Sequence, residues 1–195
     1  MAEKPILFNT PMVQAIQDLR KRMTRRPVRD KTFLEMVDAG FTDDFMKLPD
    51  NNFASVCRYQ VGDILYVRET FCYHKVGDWY GYRADGDYRD LDLRWRPSIH
   101  MPKEAARLFL RVTGVMVERL QEITEEDALA EGFEPVRCGC FNRGAWGCTD
   151  CMNTGMLEPA MLGFVDTWND IYAKRGYGWE QNPWVEVTEF ERVTP

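Results

Sequence analysis

No apolar run in this chain approaches the roughly 20 residues that a membrane-spanning helix needs, which excludes an integral helical membrane protein. The first residues, Met1-Ala2-Glu3-Lys4-Pro5, lack the basic-then-apolar layout of a secretory signal, so a soluble, cytoplasmic protein is expected. Internal repeats and low-complexity stretches are also missing. Histidine is scarce: there are two, and only His100, in the loop between Pro97 and Pro102, stands where acid–base chemistry is conceivable. An excess of basic residues is lacking too, because the formal net charge is −6, which argues against a non-specific nucleic-acid coat.

What is present is an ordinary globular balance. The chain has 195 residues, 45% of them hydrophobic, 29% charged and 13% aromatic, which is enough for one domain with a sizeable core. Charge is unevenly placed. Arg20, Lys21, Arg22, Arg25, Arg26 and Arg29 fall within ten positions with no acid among them. Such a patch on an acidic protein fits a local anionic ligand such as a phosphate, or equally a solvated basic helix end.

Residues 5–9 read as an opening strand, and Thr10-Pro11 as a helix start with Thr as the cap and Pro at the first helical position. Met12, Val13, Ile16 and Leu19 continue at helical spacing, and Pro27 sets the latest stop. Further strands are expected at 64–71, 107–117 and 184–193, a short helix near 33–37, and a hairpin with a long loop over 73–102. A Thr124-capped short helix should close at Gly132, and a helix over 159–175 should end at Gly176. Strands scattered among helices without βαβ alternation indicate an α+β fold on a small mixed sheet or barrel.

Two patterns carry chemistry. Cys138-x-Cys140 and Cys148-x-x-Cys151, with Gly139, Gly144 and Gly147 between them, suit four thiolates around one structural zinc. Cys57 and Cys72 stand apart and read as buried thiols. In the second pattern, a helix persisting to Thr24 puts Lys21 and Thr24 on one face. Repulsion from the arginines would lower the lysine pKa and favour a neutral amine able to act as a base, with the Thr24 hydroxyl as nucleophile or orienter of water. Under strand alternation Leu65, Val67, Glu69 and Phe71 share one face, leaving Glu69 as a carboxylate among apolar side chains. It needs a cationic partner, either within an active site or in a plain ion pair. The acids of 118–134 read as a solvated helical face. Trp79, Tyr80 and Tyr82 read as hairpin packing or as a base-stacking surface.

The order Lys21-x-x-Thr24-x-Arg26, Val61-Gly62-Asp63 and Arg68-Glu69 resembles the ASCH domain of the PUA-like superfamily. Segments such as Tyr82-Arg83-Ala84-Asp85, the run 95–102, the run 123–128 and Asn182-Pro183-Trp184 resemble a phage and prophage subgroup. The likeness spans one domain over 1–195, with the Cys-rich run 136–156 as an insertion. It implies a PUA-like small β-barrel with flanking helices and a cleft for RNA or nucleosides. It further implies an amidohydrolase of the N(4)-acetylcytidine type with Lys21, Thr24 and Glu69 as the working residues. Arg25, Arg26, Arg68, Tyr82, Arg83, Ser98 and His100 are the candidate substrate contacts. The alternatives are a ribonuclease and a non-catalytic RNA-binding module using the same cleft. The motif usually has glycine two positions before the lysine, where this chain has Leu19.

Overall fold

A computed structural model describes residues 3–47, 53–86, 93–135 and 159–194. Cys138, Cys140, Cys148 and Cys151 lie outside these residues, as does the whole run 136–156. The class is α+β. Strands β1 (Glu3–Leu7), β2 (Met23–Pro27), β3 (Ile64–Arg68), β6 (Phe109–Arg119) and β7 (Trp184–Val193) form one sheet in the order β1-β3-β6-β7-β2. β1 runs parallel to β3, and the other neighbours are antiparallel. Strands β4 (Phe71–His74) and β5 (Trp79–Tyr82) make a separate hairpin.

The sheet curls. A bulge between Val112 and Gly114 adds twist to the long β6–β7 ribbon. Its two edge strands meet through a side chain, with Arg26 Nη2 of β2 donating to the Leu7 carbonyl of β1 at 2.9 Å. Helix α1 (Thr10–Gln17) fills the inside of the curl. Its Val13 and Ile16 pack with Ile6, Leu65, Val67 and Phe190, all almost wholly buried. Helices α2 (Lys31–Asp38) and α3 (Asp43–Met46) cover another face around Phe33 and Trp184. Helices α4 (Glu125–Ala130) and α5 (Pro159–Tyr172) build a second apolar cluster on β7, with Phe164 and Trp168 at its centre.

Three expectations need correction. The strand expected over 64–71 stops at Arg68, and Phe71 opens β4 of the separate hairpin. The cap of α1 is Asn9, one residue earlier than Thr10, because its Oδ1 accepts from the Met12 N–H at 3.0 Å and Pro11 falls in the first turn. More consequentially, α1 does not reach Thr24. It ends at Gln17, Leu19 takes a left-handed φ of 61°, and Met23–Pro27 is a strand paired with β7. The left-handed turn reverses the chain where the apolar spacing alone would have continued the helix. Glycine adopts this backbone without steric cost. Leu19 adopts it with its side chain 72% exposed.

Candidate active site

Where the α1 cluster meets the α4–α5 cluster, the packing leaves a hollow of about 170 Å³. Phe8, Phe133, Phe164, Trp168 and Tyr172 wall it with rings, and Thr24, Arg25, Arg26 and Glu131 bring polar groups to it. A smaller hollow of about 120 Å³, reaching Pro11 and Gly132, adjoins it. Glu131 lines both, as do Asn9, Met12, Phe133 and Thr167. An apolar pocket with a few convergent polar groups is the usual form of a small-molecule site.

Each polar group owes its place to local structure. Thr24 is buried on β2 opposite Thr188 of β7, and strand alternation sends Arg25 and Arg26 to opposite sides of it. Arg25 is saturated by acids: Nε donates to Glu118 Oε1 at 2.7 Å, Nη2 pairs with Asp127 at 3.0 Å, and Nη1 stands 3.5 Å from Glu131 Oε1. Arg26 spends Nη2 on the Leu7 carbonyl and stacks its guanidinium over Phe8, while its buried Nε has no hydrogen-bond partner among the described residues.

Lys21 sits behind this wall, its side chain wholly buried. Its Nζ donates to the Met23 carbonyl at 2.9 Å, the Glu131 carbonyl at 2.8 Å and Glu131 Oε2 at 2.7 Å. Three acceptors match the three N–H bonds of an ammonium, so no lone pair is left for a substrate proton. The pKa is lowered as expected from the sequence, but burial is the main cause. Glu131 pulls it back up, and Arg26 and Arg25 contribute less. Gly132, at φ +91°, permits this close approach, since a Cβ there would lie 2.7 Å from Ala15 Cβ and 3.0 Å from Lys21 Cβ.

Glu131 is the functional candidate that the sequence reading missed. The acids of 118–134 do not form a plain solvated face. Glu118 and Asp127 hold Arg25, and Glu125 accepts the Ala160 and Met161 N–H groups at the start of α5. Glu131 is 3% exposed and engages Lys21 through Oε2, while Oε1 has no hydrogen-bond partner among the described residues.

Glu69 is buried just past the end of β3, but its partner is Arg107 rather than the basic segment. Arg107 Nε and Nη2 donate to its two oxygens at 2.9 and 3.1 Å, and Nη1 reaches Asp85 at 2.5 Å. Burial raises the Glu69 pKa, and Arg107 opposes that. Glu69 does not line either hollow.

The remaining candidates bond elsewhere as well. Arg68 donates to the Met101 and Ile99 carbonyls, fixing the loop that holds Ser98 and His100 in one turn of 3₁₀ helix. Tyr82 donates to the Ala105 carbonyl beneath the Arg107 guanidinium, and Arg83 lies over Trp95. None of Arg68, Tyr82, Arg83, Ser98 and His100 lines the hollows. Cys57 and Cys72 are buried free thiols. Among the described residues no three His, Cys, Asp or Glu side chains are grouped to hold a metal, and no helix is long and apolar enough to cross a membrane.

No family model matches this sequence, and no curated protein does. Solved structures with a related arrangement include protein EF3133 from Enterococcus faecalis V583, of family DUF984. It is 11% identical with a TM-score of 0.43, over 100% of this chain and 81% of that one. They also include an ASCH domain from Lactobacillus crispatus JV V101, 14% identical with a TM-score of 0.40 over the same shares. Both likenesses are distant, and the chemistry of the site is that of this chain's own residues.

Proposed function

We propose that this chain is a hydrolase of an acylated pyrimidine base, and that the hollow between β2, α1 and α5 seats the base. The observation that carries this reading is an aromatic-walled hollow whose polar residues, among the described residues, lack one donor partner and one acceptor partner. A cavity of ~150 Å³ accommodates a benzene ring, so about 170 Å³ suits a single six-membered ring with its substituents. Glu131 Oε1 calls for an N–H, and Arg26 Nε calls for an oxygen or ring nitrogen. An N-acylated cytosine-like edge offers both. Thr24 holds the attacking water or supplies the hydroxyl, and Arg26 stabilises the oxyanion.

The second reading is a base-binding module without turnover, favoured by the complete commitment of the Lys21 ammonium to internal acceptors. Incubation with N(4)-acetylcytidine, followed by chromatography, separates the two. Release of cytidine that disappears in Thr24→Val establishes the hydrolase. Cytidine binding without release establishes the module. The four cysteines of the 136–156 run supply a closed thiolate set with no open position, so we further propose that they hold one structural zinc. Metal analysis of the purified protein should return one zinc per chain.

A further inference from the structure

We infer that Glu131, not Glu69, is the carboxylate that moves the proton in this site. The inference deepens the hydrolase reading above and rests on it. The two glutamates are alike in burial, at 3% and 1% exposed, but differ in what their oxygens do. Both oxygens of Glu69 are closed by the Arg107 fork. Glu131 keeps Oε1 without a hydrogen bond among the described residues, 3.5 Å from Arg25 Nη1, and its residue is common to both hollows. A buried carboxylate oxygen left in this state is costly unless a ligand completes it.

The junction explains how a substrate lies. The ring and the scissile amide take the larger, aromatic hollow, which Thr24, Arg26 and Glu131 line, and the tail of the acyl group reaches the smaller one beside Pro11 and Gly132. The scissile C–N bond then falls at Glu131. A water held by Thr24 bonds through its oxygen to the acyl carbon and gives one proton to Oε1. The carbonyl π pair moves onto its oxygen, where Arg26 holds the charge. The proton then passes from Glu131 to the exocyclic nitrogen as the C–N bond breaks and the C=O bond re-forms. The products are the free amine and a carboxylic acid. Lys21 takes no part in the proton transfer and holds the Glu131 carboxylate in place through Oε2.

The test compares Glu131→Gln and Glu69→Gln with the wild type on N(4)-acetylcytidine, with thermal melting as the check on folding. A positioned acid–base group contributes about 10²–10⁴-fold. Glu131→Gln should therefore lose at least ~100-fold in kcat. Glu69→Gln should lose less than about tenfold, a smaller effect than that of a positioned acid–base group. Should Glu131→Gln fail to fold, Glu131→Asp keeps a charge for Lys21 with the carboxylate drawn back by one methylene. It should lose about tenfold or more in kcat, with KM changed far less. A Glu69→Gln loss that exceeds that of Glu131→Gln, or near-wild-type kcat in Glu131→Asp, overturns the assignment while leaving the hydrolase reading intact. A wild type that releases no cytidine overturns both.

Discussion

Glu69 and Glu131 are two buried carboxylates, each hydrogen-bonded to one buried or half-buried cation, and their difference separates structure from chemistry in this molecule. Glu69 meets a planar guanidinium that closes both of its oxygens and continues to Asp85, itself held by Gln17 of α1. That cluster ties the end of β3 to the α1 face and leaves no acceptor over. Glu131 meets an ammonium that has no fork, so only Oε2 is hydrogen-bonded among the described residues, and Arg25 Nη1 stands 3.5 Å off Oε1. A lysine partner leaves the second oxygen available, whereas an arginine partner removes it. Burial alone therefore does not mark the working carboxylate; the geometry of its cation does.

The largest effect should come from breaking the two pairs on the cation side. Lys21→Met removes the hydrogen-bonded cation of Glu131 from a fully enclosed position and leaves only Arg25 Nη1 at 3.5 Å; losing one partner of a buried pair typically costs about 3–5 kcal/mol. Arg107→Met should cost less, because the Arg107 side chain is 27% exposed and water can reach the carboxylate it abandons. Urea unfolding of both variants at pH 7 measures the order. Equal losses would remove the contrast between a sealed pair and an accessible one.

A smaller effect distinguishes the pairs by pH. The Glu69 pKa is raised above its ordinary value of 4.5 by burial, so the native state holds a proton that the unfolded chain has released in the window just above pH 4.5. Native proton uptake exceeds unfolded uptake there, and this group's contribution to stability falls as pH rises through the window. Lys21 has the opposite slope: its pKa is lowered from 10.5, the native state sheds its proton first, and stability rises with pH as 10.5 is approached from below. Glu69→Gln should flatten the acidic slope and leave the alkaline one unchanged. Unfolding midpoints collected from pH 4 to pH 10 read both limbs.

The smallest effect concerns the turn that delivers Lys21. Leu19→Gly relieves a left-handed residue of about 1–2 kcal/mol, but the added flexibility of the unfolded chain returns about 0.4–1 kcal/mol. The net gain should lie between about 0 and 1.6 kcal/mol, seen as a small rise in the urea midpoint. A marked loss would mean that the exposed Leu19 side chain holds the turn in place.

Much of the frame is readable from local pattern. The period-two run buries Leu65, Val67 and Glu69, although the strand ends at Arg68 and Phe71 packs in the hairpin's own cluster; the capping box at Thr124 and the final strand from Trp184 to Val193 appear where their residues place them. The site is less readable. Apolar spacing through Leu19 argues for more helix, because a leucine gives no sign that its backbone is left-handed, and so β2 is hidden. Thr24, Arg25 and Arg26 are recognisable as candidates, and all three line the larger hollow. Glu131 is not, because it stands in a run of acids and its partner lies 110 positions away. Pairing at that range depends on how β2 and the end of α4 pack, which no local periodicity records. The Arg107–Glu69 fork is hidden for the same reason, across 38 positions.

The most direct measurement is a crystal structure of the protein with cytidine bound. The account predicts the pyrimidine ring in the hollow walled by Phe133, Phe164 and Trp168. Its exocyclic nitrogen should lie within hydrogen-bonding distance of Glu131 Oε1, and Glu69 should still be paired with Arg107. Cytidine seated instead against the β4–β5 hairpin and the Ser98–His100 turn, or contacting Glu69, would contradict it.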